Sequence, residues 1–168
     1  MNIRSIEPND CSAIAAIYNH YIVTSIATFR ETALDTSEMA ALIANAQTDS
    51  LPALVALVDA QVVGYTFATK WKPRAAYRFS AECTVYVKPD RIGQGIGAAL
   101  YAQLLRELRE SGVHAAIGGI ALPNDASVAL HEKFGMSKVA HFKEVGFKFG
   151  RWIDVAYWEI LLQAVQDR

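Results

Sequence analysis

Cysteine is scarce in this chain. Cys11 and Cys83 are the only two, and they offer neither a disulfide framework nor the paired spacing of a metal site. Net charge is almost absent as well. Sixteen basic and seventeen acidic residues leave −1, so nothing suggests a nucleic-acid partner or an anionic membrane surface. No apolar run approaches the roughly 20 residues of a membrane crossing, and Met1-Asn2-Ile3-Arg4 has no signal-peptide core. Internal repeats, linkers and low-complexity tracts are missing too. These absences lead to the expectation of one domain over residues 1–168 in a reducing cytoplasm, with no membrane partner and no metal. What is present is an ordinary globular composition, 52% hydrophobic and 20% charged, long enough to close one sizeable core.

The chain is organised around Val85-Tyr86-Val87-Lys88-Pro89-Asp90-Arg91-Ile92-Gly93-Gln94-Gly95-Ile96-Gly97. It reads as a strand ending at Pro89, a tight glycine loop, and a helix opening near Gly95. Alternating glycines let the backbone turn sharply and aim several N–H groups at one point. The helix adds unpaired donors and the positive end of its dipole, which together suit a phosphate. A Walker loop would need Gly-Lys-Ser/Thr, which is absent. A dinucleotide fingerprint is closer, since Gly93, Gly95 and Ala98 satisfy G-x-G-x-x-A. That reading also wants an acidic residue closing the next strand. Here the next apolar run, 114–121, ends in Leu122-Pro123-Asn124 instead.

Residues 2–8 alternate as a first strand. Asp10 is placed to cap a helix carrying Ile14, Ile17, Tyr18 and Tyr21 at helical spacing. Residues 24–31 have no clean period; Phe29 there is either a lid on the core or a pocket wall. Asp35 and Glu38 form a capping box for a second helix. Two apolar strands, 52–58 and 61–67, meet in a hairpin at Asp59-Ala60. Residues 71–78 then interrupt the pattern with Lys72, Arg74 and Arg78 among aromatics, a composition usual for a solvated loop.

From Phe79 the strand period returns, with Ala81, Cys83, Val85 and Val87 on one face and Glu82, Thr84 and Tyr86 on the other. Cys83 therefore belongs to the core set. Glu82 either faces solvent or requires a partner, because burying a carboxylate alone is costly. Beyond the glycine loop, Ile96, Leu100, Leu104 and Leu108 mark a strongly amphipathic helix ended by Gly112. In the strand 114–121, Gly118-Gly119 predicts a bulge or a close backbone approach. Asn124 or Asp125 caps a short helix that Gly135 ends. Strands 138–145 and 151–162 then flank a turn at 147–150. The order β-α-α-β-β-β-α-β-α-β-β is that of an α/β protein with a mixed sheet.

Two motifs carry a resemblance. The strand, Q/R-x-x-G-x-G/A loop and helix resemble the pyrophosphate-binding element of the GCN5-related N-acetyltransferases (GNAT), with Gly95 and Gly97 in place and Ile92 where Gln or Arg is usual. The segment from Asn124 through Ser127, Leu130 and His131 to Met136 resembles that family's N-x-x-S-x-x-L-Y-E-K-L-G-F, with His131 at the Tyr position. That histidine is similar to the phosphinothricin and methionine sulfoximine N-acetyltransferases. So are Ile17-Tyr18-Asn19-His20, 71–77, 82–87 and 145–155.

The resemblance implies a mixed, mostly antiparallel sheet flanked by helices, and acetyl-CoA as cosubstrate. It implies that Gly93, Gln94, Gly95, Ile96, Gly97 and Ala98 hold the pyrophosphate. Backbone groups of Val85, Tyr86 and Val87, with Asn124 and Ser127, would meet the pantetheine arm. Glu82 would be the general base and His131 the acid for the departing thiolate. Phe29, Lys72, Pro73, Arg74, Tyr77, Arg78, Cys83 and Thr84 would surround a small acidic amino acid or analogue, in a homodimer. A sensor that binds the same ligands without turnover would keep the loop and dispense with Glu82 and His131.

Overall fold

The computed structural model describes residues 1–162. The amphipathic stripe read in the sequence forms α3 (Ile96–Glu110), whose Leu100, Leu104 and Leu108 are fully buried. It packs on one face of the sheet against β4 (Ser80–Val87) and β5 (Ala115–Leu122), through Ala81, Cys83 and Ala116. On the other face lie α1 (Cys11–Thr24) and α2 (Thr36–Thr48), which set Ile14, Ile17, Met39 and Ile43 against β2 (Ala53–Val58) and β3 (Gln61–Lys70). The capping box starts α2 as read. The Glu38 N–H donates to Asp35 Oδ1 at 2.8 Å and the Asp35 N–H to Glu38 Oε2 at 2.9 Å. With β1 (Asn2–Ser5), α4 (Asp125–Lys133), β6 (Ser137–Lys148) and β7 (Arg151–Leu161), the element order is the one expected.

Among the described residues, seven strands lie in the order β1-β2-β3-β4-β5-β7-β6. All neighbours are antiparallel except β4 and β5. That parallel pair sets up the site. Its ladder runs only from Ser80↔Ala115 to Glu82↔Ile117, while β4 continues to Val87 and β5 to Leu122. Past Glu82 the two strands part. A wedge opens between them, along which one edge of β4 has no strand partner and its backbone polar groups call for another.

Several local expectations change. The first strand stops at Ser5, because Pro8–Asp10 coils into a 3-10 turn. Asp10 does not cap α1 with its side chain. Its oxygens are taken by the Arg4 guanidinium at 2.7 and 2.9 Å and by the Glu7 N–H, and the Arg4 hydrogen bond is the main reason its pKa is lowered. Gly118-Gly119 is not a bulge, since β5 pairs with β7 without interruption from Ala115↔Leu161 to Leu122↔Asp154. The last turn is only Phe149-Gly150, both at positive φ (52° and 71°), so Lys148 belongs to β6. Between Asn124 and Asp125, the cap is Asn124, whose Oδ1 accepts the Ser127 N–H at 3.1 Å.

Candidate active site

The wedge between β4 and β5 is one wall of a cleft of about 540 Å³. Cys83, Thr84, Val85, Tyr86 and Val87 line it along β4. Gly93, Gly95, Ile96, Gly97 and Ala98 close its far end, and Asn124, Ser127 and His131 form the opposite side on α4. Gly93 and Gly95 stand at φ 81° and 78°, a conformation open to glycine and strained for other residues. Gly95 caps α3, and a Cβ on Gly97 would already touch Val87 at 3.4 Å. The first turn of α3 thus presents bare N–H groups with no side chain in front of them, which fits a pyrophosphate.

Two details of the loop differ from the sequence reading. Gln94 is exposed, lines no part of the cleft, and has its amide 3.5 Å from Asp90 O. Arg91 does line the cleft beside Ile92, so a cation stands one place before the position where the resemblance expects a polar side chain. Tyr21, read in the sequence only as part of a helix face, also lines the cleft. Its hydroxyl donates to Val87 O at 2.6 Å and pins the end of β4 to α1.

His131 is buried, and its Nδ1 lies 2.7 Å from Ser127 O. A carbonyl only accepts, so Nδ1 carries the proton of the neutral ring. Nε2 faces Gly118 so closely that a Cβ there would sit 2.2 Å away. This is the close approach signalled by Gly118. Burial also lowers the pKa of the ring, against the Ser127 hydrogen bond. The neutral imidazole therefore has no N–H left for the cleft.

Glu82 stands where the strands separate. Among the described residues its carboxylate has no hydrogen-bond or ion-pair partner. Burial raises its pKa, and the charge of Lys72 works in the opposite direction. The carboxylate fits because residue 119 is glycine: a Cβ there would lie 3.1 Å from Glu82 Oε1 and 2.9 Å from Tyr157 Cε1. Tyr157 is pushed up in pKa by burial and by the charge of Glu82.

A second cleft of about 740 Å³ opens on the other side of Glu82. Phe29, Trp71, Lys72, Phe142 and Tyr157 are among its walls. Trp71 and Phe142 each meet the Tyr157 ring edge-on, at 5.2 and 5.9 Å. Glu82 lines both clefts, together with Ala27, Thr28, Gly119 and Ala121.

The remaining basic loop lies elsewhere. Pro73, Arg74, Tyr77 and Arg78 line neither cleft. Trp71 N–H bonds to Ser80 O and Tyr77 N–H to Arg74 O, which closes 72–79 into an exposed excursion beyond the β3–β4 hairpin. Arg78 folds back over the Phe79 ring at 4.4 Å. Tyr157 and Gly119 were not singled out from sequence as site residues. Only the β5–β7 register, which pairs Gly119 with Tyr157, brings them to Glu82.

Residues 3–157 match the family described as "Acetyltransferase (GNAT) domain". The chain belongs to the GNAT acetyltransferases. It is an acetyl-CoA-dependent N-acetyltransferase, and the glycine cradle and open β4 edge are the features that fit that cosubstrate. This acetyltransferase is 40% identical to a phosphinothricin N-acetyltransferase of Alcaligenes faecalis, across 96% of this chain and 83% of that one. It is 35% identical to an L-methionine sulfoximine/L-methionine sulfone acetyltransferase of Salmonella typhimurium, across 96% and 95%. A phosphinothricin acetyltransferase from Sinorhizobium meliloti, solved in complex with acetyl-CoA, superposes with a TM-score of 0.94 at 31% identity, covering 99% of this chain and 91% of that one.

Proposed function

We propose that this acetyltransferase acylates the α-amino group of a small amino acid of the phosphinothricin, methionine sulfoximine or methionine sulfone type, with Glu82 as general base. One observation carries the reading: among the described residues, Glu82 is the only ionisable side chain common to the two clefts. An amino acid in the cleft of Trp71 and Lys72 brings its ammonium to a carboxylate that burial has made a better proton acceptor. Lys72, which lines that cleft, receives the α-carboxylate in this reading. Acetyl-CoA, lying along β4, supplies the acyl group. The nitrogen forms its amide bond as the carbon–sulfur bond breaks; Glu82 takes the first proton from the ammonium, and the second, shed as the amide forms, passes to the departing thiolate, which leaves as free CoA thiol.

His131, whose proton is committed to Ser127, packs α4 on β5 in this reading. The thiol leaving group is acidic enough, near pKa 8.5 for an ordinary thiol, to depart with little help. Thr84 and Cys83 contribute through the strand they belong to, since the Cys83 thiol is buried and pushed up to about 12. A homodimer is part of the proposal. β6 is an edge strand, and Phe147 and Trp152 on the β6–β7 hairpin meet edge-on at 4.9 Å while both stand more than half exposed, an apolar pair that invites a second copy. The cytoplasmic setting goes with two buried, unpaired cysteines. Release of free thiol from acetyl-CoA in the presence of phosphinothricin, methionine sulfoximine and methionine sulfone tests the proposal. Release with none of them contradicts it.

A further inference from the structure

Glu82 on β4 and Glu159 on β7 are both register partners of Ile117. Directly paired residues point to the same face of a sheet, and all three line the second cleft. Two strand spacings separate the acidic residues, roughly 10 Å between backbones. The cleft thus has a carboxylate at each end of one row. Among the described residues, Lys72 is the only basic residue lining it. Lys138, on the neighbouring strand, stacks over the Trp158 ring at 5.7 Å, and Trp158 belongs to the core beneath the opposite face. Among the described residues, Glu159 has no ion-pair or hydrogen-bond partner.

We infer that Glu159 selects substrates by the charge at the end of their side chain, and that the preferred substrates are amino acids with a neutral polar terminus. This rests on the proposed reading of the site. With the α-nitrogen at Glu82 and the α-carboxylate at Lys72, the side chain runs along Ile117 and Tyr157 toward Glu159. A sulfone or sulfoximine arrives there uncharged. A phosphinate or a second carboxylate arrives as an anion facing an anion, with the one lining cation already engaged at the other end. At a separation of several ångströms in a partly solvated cleft, that repulsion corresponds to about ten- to a hundredfold in discrimination.

The test compares kcat/KM for L-methionine sulfone and L-phosphinothricin, at saturating acetyl-CoA, in the wild type and in Glu159→Gln. The wild type should prefer the sulfone. The substitution should move the phosphinothricin-to-sulfone ratio toward phosphinothricin by about tenfold or more. Raised ionic strength should shift the wild-type ratio the same way and leave that of Glu159→Gln nearly still. Turnover of both substrates with a ratio that ignores the substitution overturns the role of Glu159 alone. Turnover of neither by the wild type overturns the substrate reading itself, and this inference with it.

Discussion

Lys148, near the end of the chain, donates through Nζ to Thr28 O at 2.7 Å and to Ser25 O at 2.9 Å. The lysine is 2% exposed. The same loop is tied at Ala27 O by the Tyr86 hydroxyl (2.9 Å) and at the Thr28 hydroxyl by Tyr18 (2.7 Å). Phe29 lies against Gly146, where a Cβ would come within 2.3 Å of the ring. Residues 27 and 28 wall both clefts, so an ammonium far away in sequence fixes the partition between them.

Lys148→Met keeps the stem and removes both donated bonds. Leaving two carbonyls without their donor should cost about 1–3 kcal/mol of stability, read by denaturant unfolding. The KM for the amino acid should rise several-fold and more than that for acetyl-CoA, because Phe29 belongs only to the second cleft. Equal changes in the two constants would mean the loop does not shape the amino-acid site.

Lys72 and Arg74 should behave differently despite their proximity. Lys72 lowers the pKa of Glu82, so Lys72→Met should move the acid limb of the kcat/KM profile to higher pH. It should also raise the KM for the amino acid about ten- to a hundredfold, as expected for one charge-assisted contact. Arg74→Ala should leave both the limb and the KM within about twofold, consistent with an exposed surface change. A large effect of Arg74→Ala would place the basic excursion over the site after all.

Much of this arrangement could be read from the chain, and what could not has a physical cause. The glycine loop was legible because positive φ leaves few alternatives to glycine. Helix α3 was legible because a four-residue apolar period survives without context. Gly118-Gly119 announced a close approach but not its partners, His131 and Glu82, which come from a helix and a strand elsewhere in the chain. Arg74 and Arg78 stood out because charge is visible in sequence, and Pro73 and Tyr77 came with them through the resemblance, whereas the direction of an excursion is set by backbone bonds at its base. Lys148 fell within a turn in the sequence reading, and its contacts with the carbonyls of Ser25 and Thr28, more than a hundred residues away, could not be read there.

The contact between His131 and Gly118 makes a stability prediction. Gly118→Ala forces a methyl into the imidazole and should cost about 1–3 kcal/mol, the usual range for overpacking. Shortening residue 131 as well should recover part of that loss, so the double variant Gly118→Ala/His131→Ala should be more stable than the sum of the single changes implies. Strict additivity in denaturant midpoints would contradict the geometry.

The glycine cradle makes a binding prediction. Acetyl-CoA at about a hundred times its Kd should stabilise the wild type by about 2.7 kcal/mol, seen as a rise in Tm. Gly97→Glu places a carboxylate at the mouth of the α3 N-terminus, where the existing neighbours are at ordinary contact distance. It should fold and show no such rise. A full shift in the variant would move the pyrophosphate site elsewhere.

The central claim is that Glu82 accepts the ammonium proton, and the pH dependence of Glu82→Gln tests it most directly. In the wild type, kcat/KM should rise with pH as Glu82 ionises, with the midpoint above the ordinary carboxylate range because burial raises its pKa. Glu82→Gln keeps the shape and loses the base. Its kcat should fall by about 10²–10⁴ near neutral pH, with the acetyl-CoA Tm shift intact, and the deficit should shrink in alkali as more of the amine arrives already deprotonated. A near-wild-type kcat at neutral pH, or a deficit that stays constant from neutral to alkaline pH, would contradict the account.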